Sequence, residues 1–178
     1  MRHKIVLAAL LAVAGPALAG EQYGIGRVPT AGEIAGWDID VAPDGAGLPS
    51  GHGSVQEGAQ LFAQACAACH GADGKGGDGA PVPRLVGGEG TLASAKPVRT
   101  VGSYWPFATT LFDYINRAMP LGAAQTLSAD QVYAVSAFVL NLNGIVPADT
   151  TLDARSLAAI TMPNRNGFVR TPDQSDAP

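Results

Sequence analysis

Cys66-Ala67-Ala68-Cys69-His70 is a C-x-x-C-H run that uses both cysteines of the 178-residue chain. The spacing is the attachment signature of a c-type haem. On a helical turn Cys66, Cys69 and His70 fall at i, i+3 and i+4, so all three side chains project from one face onto one flat object. The two sulfurs are then placed for thioether bonds to porphyrin vinyl groups and the His70 ring for the iron. With a proximal His on a haem iron, the residue on the other side decides between electron transfer and small-molecule chemistry. Two other readings compete for these residues. A thioredoxin-like couple wants a βαβ pattern around the pair, which is missing here. A structural zinc site wants four ligands at finger spacing, and after the leader only Cys66, Cys69, His70 and His52 are on offer.

Upstream, Arg2, His3 and Lys4, an apolar stretch from 5 to 15 and Ala17-Leu18-Ala19 before Gly20 read as a signal peptide over 1–19. The alternative is a retained signal anchor. The apolar run is short for a span, which takes about twenty residues. Export to the periplasm is therefore expected, a compartment where unmodified cysteine pairs are exposed to oxidation. Without residues 1–19 the chain has 159 residues, one domain of ordinary size, and a formal charge of −6 from 9 Lys plus Arg against 15 acids. That balance does not suit nucleic acid.

Residues 20–53 are punctuated by glycine and proline and read as an irregular arm. Tyr23, Ile25, Ile34, Trp37, Ile39 and Val41 make it too apolar for a solvated linker, so these side chains are expected to pack on the domain or on a partner. Ser54-Val55-Gln56-Glu57 is a capping box, and Val55, Ala59, Phe62 and Cys66 continue one helical stripe. Gly58 costs this helix about 1 kcal/mol against alanine, which a close backbone approach would justify. A helix is expected at about 106–118 with Phe107, Leu111, Tyr114 and Ile115 inward. Another follows Ser128-Ala129-Asp130-Gln131, a second capping box, with Val132, Val135, Val139 and Leu142 as its stripe and Asn143-Gly144 as its stop. The loop over 71–97 holds eight glycines. A loop that long needs a surface to lie on.

The sixth iron ligand can be argued from location. The methionines beyond the leader are Met119 and Met162. Met119 follows the 106–118 helix and precedes Pro120, which biases it toward extended backbone, so it is the expected ligand. Met162, His52 or an open position are the alternatives. Arg99, Tyr104 and Trp105 could hold haem propionates, with Trp105 as a core aromatic the competing reading. Lys75 and Lys96 read as solvated charges, with a docking ring round the haem edge as the alternative.

Together, C-A-A-C-H after an amphipathic helix, Pro83-Arg84-Leu85 in the loop and Met119-Pro120 before a capped terminal helix resemble class I cytochrome c over 54–144. The resemblance implies an all-α fold of three to four short helices round one covalent haem c, with irregular arms at 20–53 and 145–178. It also implies that the Pro83 carbonyl accepts a hydrogen bond from His70, fixing its tautomer. Tyr23-Gly24-Ile25-Gly26-Arg27, Ala35-Gly36-Trp37-Asp38-Ile39-Asp40, Val101-Gly102-Ser103-Tyr104-Trp105-Pro106, Thr110-Leu111-Phe112-Asp113-Tyr114-Ile115 and Met162-Pro163-Asn164-Arg165 resemble a narrower group. These are the cytochrome subunits of periplasmic sulfur-oxidising molybdenum enzymes, the Sox sulfane dehydrogenase first and sulfite dehydrogenases behind it. One C-x-x-C-H run departs from the two-haem Sox form. The resemblance implies a carrier without a substrate site of its own, taking electrons from a molybdenum subunit and passing them to another cytochrome or an oxidase. A haem enzyme or gas sensor with an exchangeable sixth position, or an assembly module, are the alternatives.

Overall fold

A computed structural model describes residues 25–76, 82 and 84–169. In chain order its elements are α1 (Ala31–Trp37), β1 (His52–Ser54), α2 (Val55–Ala65), α3 (Ala67–His70), α4 (Val101–Tyr104), α5 (Ala108–Ala118), α6 (Ala129–Leu142), β2 (Thr151–Asp153) and α7 (Ala154–Ala158). The expected leader over 1–19 lies outside the described residues, as do Tyr23 and Pro83.

The Ser54 box forms as read. Ser54 Oγ accepts from the Glu57 amide at 3.2 Å; the Glu57 carboxylate accepts from the Ser54 hydroxyl at 2.6 Å and the Ser54 amide at 2.8 Å, which together hold the Glu57 carboxyl below its usual pKa. Val55, Gly58 and Phe62 are the buried face of α2. This face meets α6 backbone to backbone. A Cβ on Gly58 would sit 1.9 Å from the Ala134 carbonyl oxygen, and one on Gly53 2.3 Å from the Ala134 nitrogen. One turn on, the Phe62 and Phe138 rings pack at 5.2 Å.

The second box also forms, with Gln131 and Ser128 exchanging bonds at 2.8 and 3.3 Å. The single stripe expected on α6 is too narrow a description. Val132, Val135 and Val139 are buried, but so are Tyr133, Ala134, Ser136, Ala137 and Leu140, while Leu142 is half-buried. The reason is its central position against α2, β1, α5 and β2, since a helix apolar all round is one that is buried all round.

Helix α5 starts two residues later than expected and is rotated from the expected face. Leu111 and Ile115 are buried, but Phe112 takes the inward place given to Tyr114 and packs on Tyr133 at 4.6 Å. Tyr114 is exposed and meets Trp105 edge-on at 5.8 Å. The short α4 was not expected. Thr100 and Ser103 cap it with a box in which serine stands in for Glu or Gln.

Both arms carry regular structure. β1 pairs antiparallel with β2, Gly53 opposite Leu152, and α7 follows, capped by Asp153 and Ser156. Val146, Leu152, Leu157 and Met162 belong to the core, so the stretch expected as an irregular C-terminal arm contributes to the packed domain as far as residue 162. Of the earlier arm, Val41 is in the core, its amide donating to Asp113 Oδ1 at 2.9 Å, and Thr109 Oγ1 donates to the Pro43 carbonyl at 3.1 Å. Ile39 is half-buried, whereas Ile25, Ile34 and Trp37 are exposed, Trp37 at 88%. Residues up to 36 form a separate unit. Within it Arg27, the Thr30 amide and the Thr30 hydroxyl all hold the Glu33 carboxylate, whose pKa falls to about 2.

Candidate functional site

Helix α2 ends at Ala65, and Cys66 turns the chain into the single turn α3. The Cys69 and His70 amides both donate to the Cys66 carbonyl, at 3.1 and 3.0 Å. Gly71, at φ +74°, stops the turn, a conformation that glycine adopts without steric cost. Cys66, Cys69 and His70 therefore share one turn, as the spacing required. Both thiols are free, Cys66 half-buried against the core and Cys69 exposed. Burial pushes the Cys66 thiol pKa up, and the neighbouring Cys69 adds to this.

His70 is half-buried, and its Nδ1 is fully buried without a hydrogen-bond partner among the described residues. A buried ring nitrogen left this way is costly. The expected partner, Pro83, lies outside the described residues. The turn itself is held from the other side, since the Gly76 amide donates to the His70 carbonyl at 2.8 Å and the Leu85 amide to the Gly74 carbonyl at 2.8 Å. Two thiols and an imidazole on one turn, the imidazole with its Nδ1 turned inward, fit a haem bound through two sulfurs with Nε2 left for the iron.

Met119 closes α5. Its amide donates to the Ile115 carbonyl at 3.0 Å, and its backbone is extended (φ −120°, ψ 150°), as the following proline demands. The side chain is half-buried at the margin of the core. Met162 differs, at 1% exposed and enclosed in the core, which is the environment of a packing methionine. His52 is exposed on β1, its amide donating to Asp130 Oδ1 at 2.8 Å.

Arg99, Tyr104 and Trp105 gather round α4. The Arg99 guanidinium lies 5.5 Å from the Tyr104 ring centroid, and Trp105 is half-buried against the core. Two partners escaped the sequence reading. Asn164 Nδ2 donates to the Tyr104 carbonyl at 2.6 Å and Phe168 packs edge-on to the Tyr104 ring at 5.2 Å, so these two residues clasp Tyr104. Asn143 Nδ2 similarly donates to the Leu85 and Val139 carbonyls, at 3.1 and 2.9 Å. Lys75 pairs with Asp73 at 3.2 Å, and Lys96 is exposed. Asp113 is a buried carboxylate: burial raises its pKa, but Arg117 and the Val41 amide together bring it below its ordinary value.

The family model described as cytochrome c matches residues 55–143. Among solved structures, a chain of the sulfane dehydrogenase SoxCD from Paracoccus pantotrophus is 46% identical with a TM-score of 0.78, over 88% of this chain and 75% of that one. Thiosulfate dehydrogenase of Stutzerimonas stutzeri (strain A1501) is 31% identical over 114 residues, 62% of this chain. The chain spans 33% of the length of that curated relative. Among the described residues no helix is long and apolar enough to cross a membrane.

Proposed function

The chain belongs to the cytochrome c family, and from that premise we propose that it is a periplasmic mono-haem carrier serving a molybdenum dehydrogenase of sulfite or sulfane sulfur. Cys66 and Cys69 would hold the haem through thioethers, and His70 and Met119 are the residues that would bind its iron. The bound haem supplies a one-electron iron couple. His70 is oriented by the turn that carries it, and the Pro83 carbonyl is the candidate partner for its buried Nδ1. Met119, held in extended backbone at the end of α5, would bind the same iron through its sulfur, which would leave no position for oxygen or substrate. Arg99, Tyr104 and Trp105 are the candidates for the propionates. The chain has no substrate site of its own in this reading, and another cytochrome or an oxidase receives the electron.

The observation that carries the partner assignment is the 46% identity to a SoxCD chain over 88% of this chain, well beyond the cytochrome c domain itself. Exposed Ile25, Val28 and Trp37 support a lasting contact of the first arm with a dehydrogenase subunit. Because Val41 belongs to the core, the informative truncation removes 20–38, and unchanged retention of a copurifying subunit would refute that contact.

The test of the whole reading follows the visible spectrum of the haem-loaded protein mixed with a molybdenum subunit of this class. Reduction is expected only when sulfite or a sulfane-sulfur donor is also present. No reduction, with the methionine-to-iron charge-transfer band intact, would remove the donor and leave the carrier. Absence of that band, or binding of carbon monoxide to the native reduced protein, would remove Met119 and favour a haem enzyme or gas sensor.

A further inference from the structure

We infer that electrons leave this protein through an uncharged docking face, shaped for a redox protein whose own docking face is also uncharged. The inference rests on the reading that the Cys66–His70 turn and Met119 hold one haem, which brings their two segments to the rim of the same group. Residues 58–72 and 118–129 contain no Asp, Glu, Lys or Arg. At the chain's average of 15% charged residues, a length of 27 would carry about four.

The structure extends this beyond composition. Ala65, Ala68 and Ala72 of the first segment and Leu121, Ala123 and Ala124 of the second are exposed, Leu121 at 86%. The charges that bracket the two segments sit at their ends, and two of the four are in ion pairs. Glu57 is in the Ser54 capping box, Asp73 pairs with Lys75 at 3.2 Å, Arg117 bonds Asp113 at 2.8 Å, and Asp130 accepts from the His52 amide at 2.8 Å. A partner with a lysine-ringed edge would bury unpaired ammonium groups against this face, which is penalised. A partner with a neutral rim loses nothing on contact.

The experiment is stopped-flow oxidation of the reduced, haem-loaded full chain, in which it loses one electron and the probe gains one. The probes are two ferric cytochromes, one with a lysine-ringed and one with an uncharged haem edge. From 0.1 M to 1 M salt the screening length falls from about 10 Å to about 3 Å, so charges near the contact dominate the response. The expected rate with the uncharged probe changes less than about twofold over that range and exceeds the rate with the lysine-ringed probe. Ala124→Lys is expected to slow the uncharged probe about tenfold by burying a charge at the contact. Amide resonances of 65–72 and 121–126 are expected to broaden on titration with the uncharged probe.

A faster reaction with the lysine-ringed probe that falls steeply with salt, or Ala124→Lys at the wild-type rate, would overturn the docking face. The methionine charge-transfer band, read on the same samples, separates the two levels. Its presence in those cases confines the failure to docking, and its absence in the native protein overturns the ligand reading and the docking face with it.

Discussion

Gly58→Ala puts a methyl group where the structure has no room. The new Cβ would lie 1.9 Å from the Ala134 carbonyl oxygen and 2.8 Å from Phe138 Cβ. Relieving the first contact alone moves the two helix backbones apart by more than 1 Å. That displacement is felt along the whole crossing, including the Phe62–Phe138 ring pair. Overpacking of this kind costs typically 1–3 kcal/mol and sometimes more, so a rigid backbone contact belongs at about 3–4 kcal/mol. Alanine recovers about 1 kcal/mol of helix propensity. The expected net loss is about 2–3 kcal/mol, or a melting point lower by about 4–12 °C for a domain of this size. The assay is urea unfolding of the haem-loaded protein followed by far-ultraviolet circular dichroism. Gly32→Ala, a helical glycine with nothing near its would-be Cβ, is the control and is expected to leave the midpoint at or slightly above wild type. A Gly58→Ala midpoint at or above wild type would refute the claim that α2 and α6 touch through their backbones.

Other perturbations separate the remaining roles. Met119→Ala is expected to abolish the methionine charge-transfer band, lower the reduction potential and admit carbon monoxide, whereas Met162→Ala should keep the band and lose about 2–5 kcal/mol of stability to a core cavity; the reverse pattern would exchange the two assignments. Tyr133→Phe removes the hydroxyl that donates to the Pro49 carbonyl at 2.8 Å and should cost about 1 kcal/mol in urea. Asp113→Asn should destabilise at neutral pH by about 1–2 kcal/mol through its bonds to Arg117 and the Val41 amide. The folded carboxyl titrates below its unfolded value of 3.8. Its contribution is therefore full well above that pH and is lost as pH falls through the folded value. The gap between wild type and Asp113→Asn should accordingly close on acidification; a gap constant from pH 7 to pH 2 would refute the pairing.

How far the sequence could be read depended on how local the determining physics was. Ser54-x-x-Glu57 and Ser128-x-x-Gln131 are contained in four residues each, and both helix starts were legible from them. The cap of α4 was missed because Ser103 replaces the expected Glu or Gln and only one turn follows it. β1 and β2 have three residues each, too few for an alternation to register, and what makes them strands is their pairing across almost a hundred positions. Phe112 and Tyr114 both lie near the apolar stripe of α5, and the choice between them was made by Tyr133 on another helix. At the candidate site, the shared turn of Cys66, Cys69 and His70 and the extended backbone at Met119 followed from spacing and from Pro120. The clasp of Asn164 and Phe168 on Tyr104 had no local signal, because its partners are about sixty residues apart.

The pairing of β1 with β2 closes residues 54–151 into a ring, and the arithmetic of rings sets where this protein can change length. Closure entropy grows with the logarithm of ring size, about 0.6 kcal/mol for each doubling. Ten residues added to the glycine-rich stretch over 71–97 enlarge a ring of this size by about a tenth and cost about 0.1 kcal/mol. Ten residues between β2 and α7 lie outside the ring, but they would separate the Asp153 cap from the helix it starts. In closure entropy alone, insertions within that stretch are thus nearly free, whereas one at the join of strand and helix is expensive.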